Sequence, residues 1–158
     1  MNKLIYIAIL AFFMSCEKQE DPTDGLKYKS ISPSETEEYI DLYVNNFDSL
    51  ENDPVTINEV LIEGDLLIVN LSYSGGCAEH EFNLARIHPS CGTPPLPPPT
   101  FELKHNANGD LCEAWLTDTL AFDISRLRNS EDSQMTISFS ANEYNDEYFH
   151  FNLNYRYE

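Results

Sequence analysis

The chain is short of positive charge: Lys and Arg number 9 against 27 Asp and Glu in 158 residues, giving a formal net charge of −18 at pH 7. Nucleic-acid affinity rests mainly on cationic contacts to phosphate, so an acidic surface excludes nucleic acid as a partner and is repelled by anionic headgroups. What remains for the charge is a soluble, non-sticky coat or weak binding of calcium or a cationic polymer. Glycine is scarce, at 6 residues, and no glycine-rich nucleotide loop, internal repeat or coiled-coil heptad occurs. No apolar run reaches the roughly 20 residues needed to span a membrane. No nucleophile with its base, and no metal pattern with an open position, stands out. The chain is therefore read as a non-enzyme without a cofactor.

What is present first is an address. Lys3 is followed by an apolar run from Leu4 to Met14, then Ser15 and Cys16, the layout of a secretory signal. FMSC resembles a bacterial lipoprotein lipobox, which implies cleavage before Cys16 and lipidation of its thiol. The alternative is an ordinary secretory signal with an incidental cysteine. Two or more acyl chains anchor a protein stably, at roughly 0.8 kcal/mol per buried methylene. The following run, EKQED, resembles the tether of Bacteroidota lipoproteins. The expected location is thus the cell envelope, as an outer-membrane lipoprotein facing the periplasm or the surface, with the lipid as its membrane contact.

Residues 1–15 read as the signal, 16–33 as a flexible acidic tether, and 34–158 as one domain. Ser34 and Glu37 form a capping-box pattern, and Tyr39, Leu42, Tyr43 and Phe47 recur at helical spacing, predicting a short helix over residues 34–46. From Pro54 onward the period changes to two. Ile57 to Ile62, Leu67 to Tyr73, the run from Phe82, Phe101 to His105, Leu116 to Phe122, Met135 to Phe139 and Phe149 to Tyr157 each read as a strand. Gly64-Asp65 marks a turn, as does Asn108-Gly109, although NANGD also looks a little like the start of a calcium loop. The fold class is all-β: an antiparallel β-sandwich of about seven strands with a short N-terminal helix. The proline-rich segment CGTPPLPPPT, residues 91–100, reads as a rigid surface loop, or as a docking segment for an aromatic groove.

Beyond Cys16 there are Cys77, Cys91 and Cys112. In an oxidising compartment two of these form a disulfide more readily than a metal site, with Cys77–Cys112 and Cys77–Cys91 as the candidate pairs. The alternative is a zinc or copper site of two thiolates and two imidazoles from Cys77, His80, His105 and Cys112. The functional expectation is a non-catalytic binding or structural module with an envelope protein or glycan as partner, the metal-binding lipoprotein being the second reading.

YSGGCAEHEFNL, LKHNANGDLCEAW and LAFDISRL resemble segments of a group of uncharacterised bacterial secreted proteins and lipoproteins. Their shared patterns are GGC-x-x-H-x-F and H-x-x-N-G-D-x-C-E-A, and the likeness runs from Asn58 to Leu127. The matched positions include Gly75, Gly76, Cys77, His80, Phe82, His105, Asn108, Gly109, Asp110, Cys112 and Glu113, with Cys91 outside. The resemblance implies no particular activity.

Overall fold

In a computed structural model, residues 36–43, 49–88, 97–144 and 147–157 are described. The signal, Cys16, the tether and Cys91 lie outside them.

Nine strands are described: β1 Thr36–Glu38, β2 Ile40–Tyr43, β3 Thr56–Glu63, β4 Leu66–Gly75, β5 Glu81–His88, β6 Thr100–Asn106, β7 Ala114–Asp123, β8 Gln134–Glu143 and β9 Glu147–Arg156. They form a four-stranded sheet in the order β1-β7-β4-β3 and a five-stranded sheet in the order β2-β5-β6-β8-β9. The two-residue alternation of β4 turns Leu67, Val69, Leu71 and Tyr73 inward, where they meet Leu84, Phe101, Leu103, Phe122, Ile137, Phe139 and Tyr155 in one core. The strands from β3 to β9 thus each turn a face toward the other sheet, which is what the alternating pattern requires. Among the described residues no helix is long and apolar enough to cross a membrane.

The seven strands expected from Ile57 to Tyr157 are β3 to β9, but two expectations need correction. The sheets are mixed rather than antiparallel throughout, because β1 runs parallel to β7, β2 to β5 and β6 to β8. The expected helix over 34–46 is instead, in its described part, the strands β1 and β2. Tyr39 between them is 2% exposed and packs edge-on against Phe101 at 5.2 Å, so the chain crosses from one sheet to the other there. Arg126 lies over its ring at 4.7 Å. A helix of a dozen residues is marginal by itself, whereas two open sheet edges offer backbone partners for a short segment rich in Thr, Tyr and Ile.

The β3–β4 connection is a tight hairpin turn with Gly64 at φ 59°. The connections β4–β5 and β6–β7 differ in kind, since each leaves one sheet and enters the other. Both lie at one end of the sandwich, because the end of β4 at Gly75 pairs with the start of β7 at Ala114, and the start of β5 at Glu81 with the end of β6 at Asn106.

Candidate functional site

The residues singled out from the sequence meet at those two crossings. Cys77 on the first and Cys112 on the second are joined in a disulfide with Cα atoms 5.8 Å apart. Of the pairings left open above, this is the one formed.

The second crossing turns at Asn108 and Gly109, with φ of 51° and 70°, and the Asp110 N–H donates to the Ala107 carbonyl at 2.9 Å. Two successive positive φ values are the signature of a type I′ turn, for which Asn-Gly is the preferred pair. The turn reading of NANGD holds, but the strands it joins belong to different sheets, so it makes no hairpin.

The turn aims the Asp110 carboxylate back under the first crossing. One of its oxygens, Oδ2, accepts the N–H groups of Gly76, Cys77 and Ala78 at 2.9, 2.8 and 2.9 Å. The other, Oδ1, accepts that of Cys112 at 2.8 Å. Its side chain has no exposed surface. The backbone N–H groups of Cys112, Ala78 and Cys77 hold its pKa well below the ordinary carboxylate range, because they favour the ionised form. From the sequence, Asp110 read as part of a turn or of a calcium-like loop and as a position shared with the resembling group, and its role as a backbone acceptor was missed. The available signal was an acid two residues before Cys112, the spacing at which Asp bonds backbone two residues on.

His80 and His105 complete the network. His80 Nε2 stands 3.3 Å from Asp110 Oδ2, its Nδ1 stands 2.8 Å from His105 Nε2, and His105 Nδ1 stands 3.3 Å from the Asp53 carbonyl. An imidazole nitrogen facing an oxygen acceptor must carry a proton. His80 Nε2 therefore donates to Asp110 and His105 Nδ1 to the Asp53 carbonyl, and the chain from Asp110 to Asp53 closes through the hydrogen bond between the two rings. Burial pushes the His105 pKa down, because it disfavours the charged form. Both rings are enclosed, His80 at 2% side-chain exposure and His105 at 2% overall. The His105 ring stacks on Phe82 at 4.6 Å and on His80 at 5.0 Å, and Tyr73 closes the cluster 4.7 Å from His80.

Gly75 is required by this packing, since a Cβ there would overlap the His80 ring. All four ring nitrogens face a protein partner, and the two sulfurs are bonded to each other rather than held as thiolates. Cys77, His80, His105 and Cys112 are thus brought together, yet not around a shared central point. Cys77, Asp110 and Cys112 do place ligand-type atoms within 4.8 Å of one another.

Other titratable groups lie elsewhere. His88 bonds Asp41 at 2.7 Å. On the outward side of β6, Lys104 and Glu102 form a buried pair at 2.9 Å. Glu102 also accepts from Asn52 Nδ2 at 2.9 Å, and Lys104, Asn106, Glu81, Asn83 and Glu51 line a small cleft of about 140 Å³. At the opposite end of the sandwich, Asp65 is gripped by Arg128 and by the Tyr155 hydroxyl, which donates at 2.5 Å.

Solved structures with the same fold come from species of Bacteroides and Parabacteroides. A protein of unknown function from Bacteroides vulgatus aligns with TM-score 0.60 at 21% identity, over 78% of this chain and 57% of that one. A NigD-like immunity protein from Bacteroides caccae aligns with TM-score 0.58 at 16% identity, over 77% and 65%. A putative toxin-related protein from Parabacteroides distasonis aligns with TM-score 0.61 at 23% identity, over 77% and 61%. The chain thus spans about three fifths of the length of these structures, and at such identities the likeness is one of fold. No curated protein matches the sequence. The model of the NigD-like C-terminal beta sandwich domain matches residues 38–155, which takes in all but the first strand described above, and this chain belongs to that family.

Proposed function

We propose that the chain is a non-catalytic binding module of the immunity type, held at the cell envelope through a lipid on Cys16. The observation that supports this reading is the use made of the Cys, His and Asp residues at the disulfide end. A catalytic group must reach the reacting atoms, whereas His80, His105 and Asp110 are enclosed and each faces protein partners. They fix the shape of a loop surface instead. The Bacteroides caccae structure is that of a NigD-like immunity protein, and the direction taken from it for this chain is action by occupying a partner, an envelope protein or a glycan, rather than by turnover.

Two measurements test the reading. Cys16→Ser should move the protein from the membrane to the soluble fraction and abolish labelling by a radioactive fatty acid; retention in the membrane would remove the anchor. Purified folded protein should capture a partner in envelope pulldowns or on glycan arrays, and blanks in both would remove the binding role.

The second reading is a metal-binding lipoprotein using Cys77, His80, His105 and Cys112, favoured by the closeness of the two sulfurs and Asp110. It needs both thiolates free. Native mass spectrometry of protein from its own envelope separates the two: a mass lower by two hydrogens with no zinc or copper eliminates the metal site.

A further inference from the structure

We infer that the disulfide end of the sandwich is the docking surface, and that the partner it fits is a basic protein with an apolar socket for Leu111. This rests on the binding-module reading and adds the surface and the partner's chemistry.

Leu111 is 93% exposed. An exposed leucine alone is ordinary, but this one is held on both sides: the Asp110 carboxylate before it takes four backbone N–H groups, and Cys112 after it is in the disulfide. A protruding apolar side chain on a fixed backbone loses little conformational freedom on binding, which is how preorganised anchors gain affinity. Beside it on the chain, Trp115 is 58% exposed. Its ring lies 5.6 Å from that of Tyr144, whose hydroxyl in turn accepts the Ser74 N–H at 2.9 Å. Trp and Tyr are the residue types enriched at the centres of binding surfaces.

Charge names the occupant. Glu51, Glu79, Glu81 and Glu113 are exposed at this end, and among the described residues no exposed Lys or Arg accompanies them. Lys104 is buried against Glu102. Arg86, Arg126, Arg128 and Arg156 lie toward the other end, as their strand positions and the pairing of Arg156 with Gln134 at the start of β8 show. A one-signed rim steers an oppositely charged partner and repels its like. That disfavours an anionic lipid surface as the seat of Leu111 and Trp115, and favours a Lys- and Arg-bearing protein. Thr36 enters the sandwich opposite Ala121, seven residues along β7 from Ala114 and so about 23 Å from the Leu111 end at the rise of a strand.

The test is site-directed photocrosslinking with the full chain in envelopes of the cells that make it. p-Benzoylphenylalanine is placed at Leu111, or at the exposed Asn154 toward the arginine-bearing end, and adducts are sequenced by mass spectrometry. The expected result is an adduct from position 111 to a protein segment with net positive charge, its yield falling severalfold when ionic strength rises about tenfold. With the probe moved to Glu113, Leu111→Asp should lower that yield at least about tenfold; so exposed a residue leaves the fold intact when changed. Adducts from 111 to lipid, to a second copy of the chain or to a neutral or acidic protein would overturn the inference. Protein adducts from Asn154 alone would overturn this surface and keep the binding role; none from either position would remove both.

Discussion

Replacing Cys77 and Cys112 together by alanine should cost this sandwich about a third of the stability typical of a small domain. The bond closes a loop with a sequence separation of 35. In the chain-entropy model a loop of that length restricts the unfolded ensemble by about 13 cal/mol/K, or about 4 kcal/mol at 25 °C. Unfolding entropy scales as roughly 2.1 cal/mol/K per residue, so a domain of roughly 120 residues should lose about 15 °C in Tm. The effect acts through the unfolded state, so the variant should keep a native amide spectrum and refold more slowly. The assay is thermal unfolding by circular dichroism of wild type, reduced wild type and variant. A fall below about 5 °C would refute the reasoning, and would mean that the unfolded chain is already restricted without the bond or that the bond strains the native crossings. Because Asp110 bonds the backbone of both cysteines, the disulfide and Asp110 act on the same contacts and their removal should be non-additive.

Asp110→Asn should speed hydrogen exchange at the Gly76, Cys77, Ala78 and Cys112 amides, which lose a charged acceptor, while leaving the core strands protected; exchange unchanged at all four would show that the carboxylate is dispensable. Gly75→Ala should destabilise by about 1–3 kcal/mol, as overpacking does, because the new Cβ meets the His80 ring; urea unfolding measures it, and a neutral outcome would mean the ring can move aside. At the far end, burial and the Asp65 hydrogen bond push the Tyr155 pKa up to about 12 from 10.0. A raised folded pKa means stability is full below the unfolded value and is lost as pH rises through the folded one. Stability should therefore decline from about pH 10 to 12, and Tyr155→Phe should reduce that slope, leaving the part due to Tyr73, whose pKa burial also raises; a slope unchanged in the variant would assign it to other groups.

The sandwich strands were legible because their apolar side chains alternate with polar ones, even where, as on β6, both faces are buried. Phe101, Leu103 and His105 had to share a face, and Ile137 had to alternate with Ser138, wherever the strands finally paired. Pairing direction was not legible, since parallel and antiparallel neighbours bury the same residues. The segment around Tyr39 misled for a related reason: Tyr39 and Leu42 are spaced for a helix face, and only the presence of two open sheet edges makes a strand pair the better partner for that backbone. At the site, Cys77, His80, His105 and Cys112 stood out by type, and the expected oxidising compartment favoured a disulfide while leaving its pairing, and a metal site, open. Asp110 did not stand out, because its partners are backbone N–H groups, which every sequence contains.

That last point bears on what this end of the protein is for. A Cys-His-Asp cluster in sequence suggests chemistry, but chemistry needs at least one group whose lone pair or proton faces outward. Here the carboxylate points inward onto four amides, the two imidazoles onto each other, and the sulfurs onto each other. Loops that leave one sheet for the other have no ladder to hold them, so their shape must come from side chains. The polar network supplies it, and what it holds outward is the exposed Leu111. Rigid presentation of such a group suits the binding role proposed above, since a preorganised anchor loses little freedom on docking.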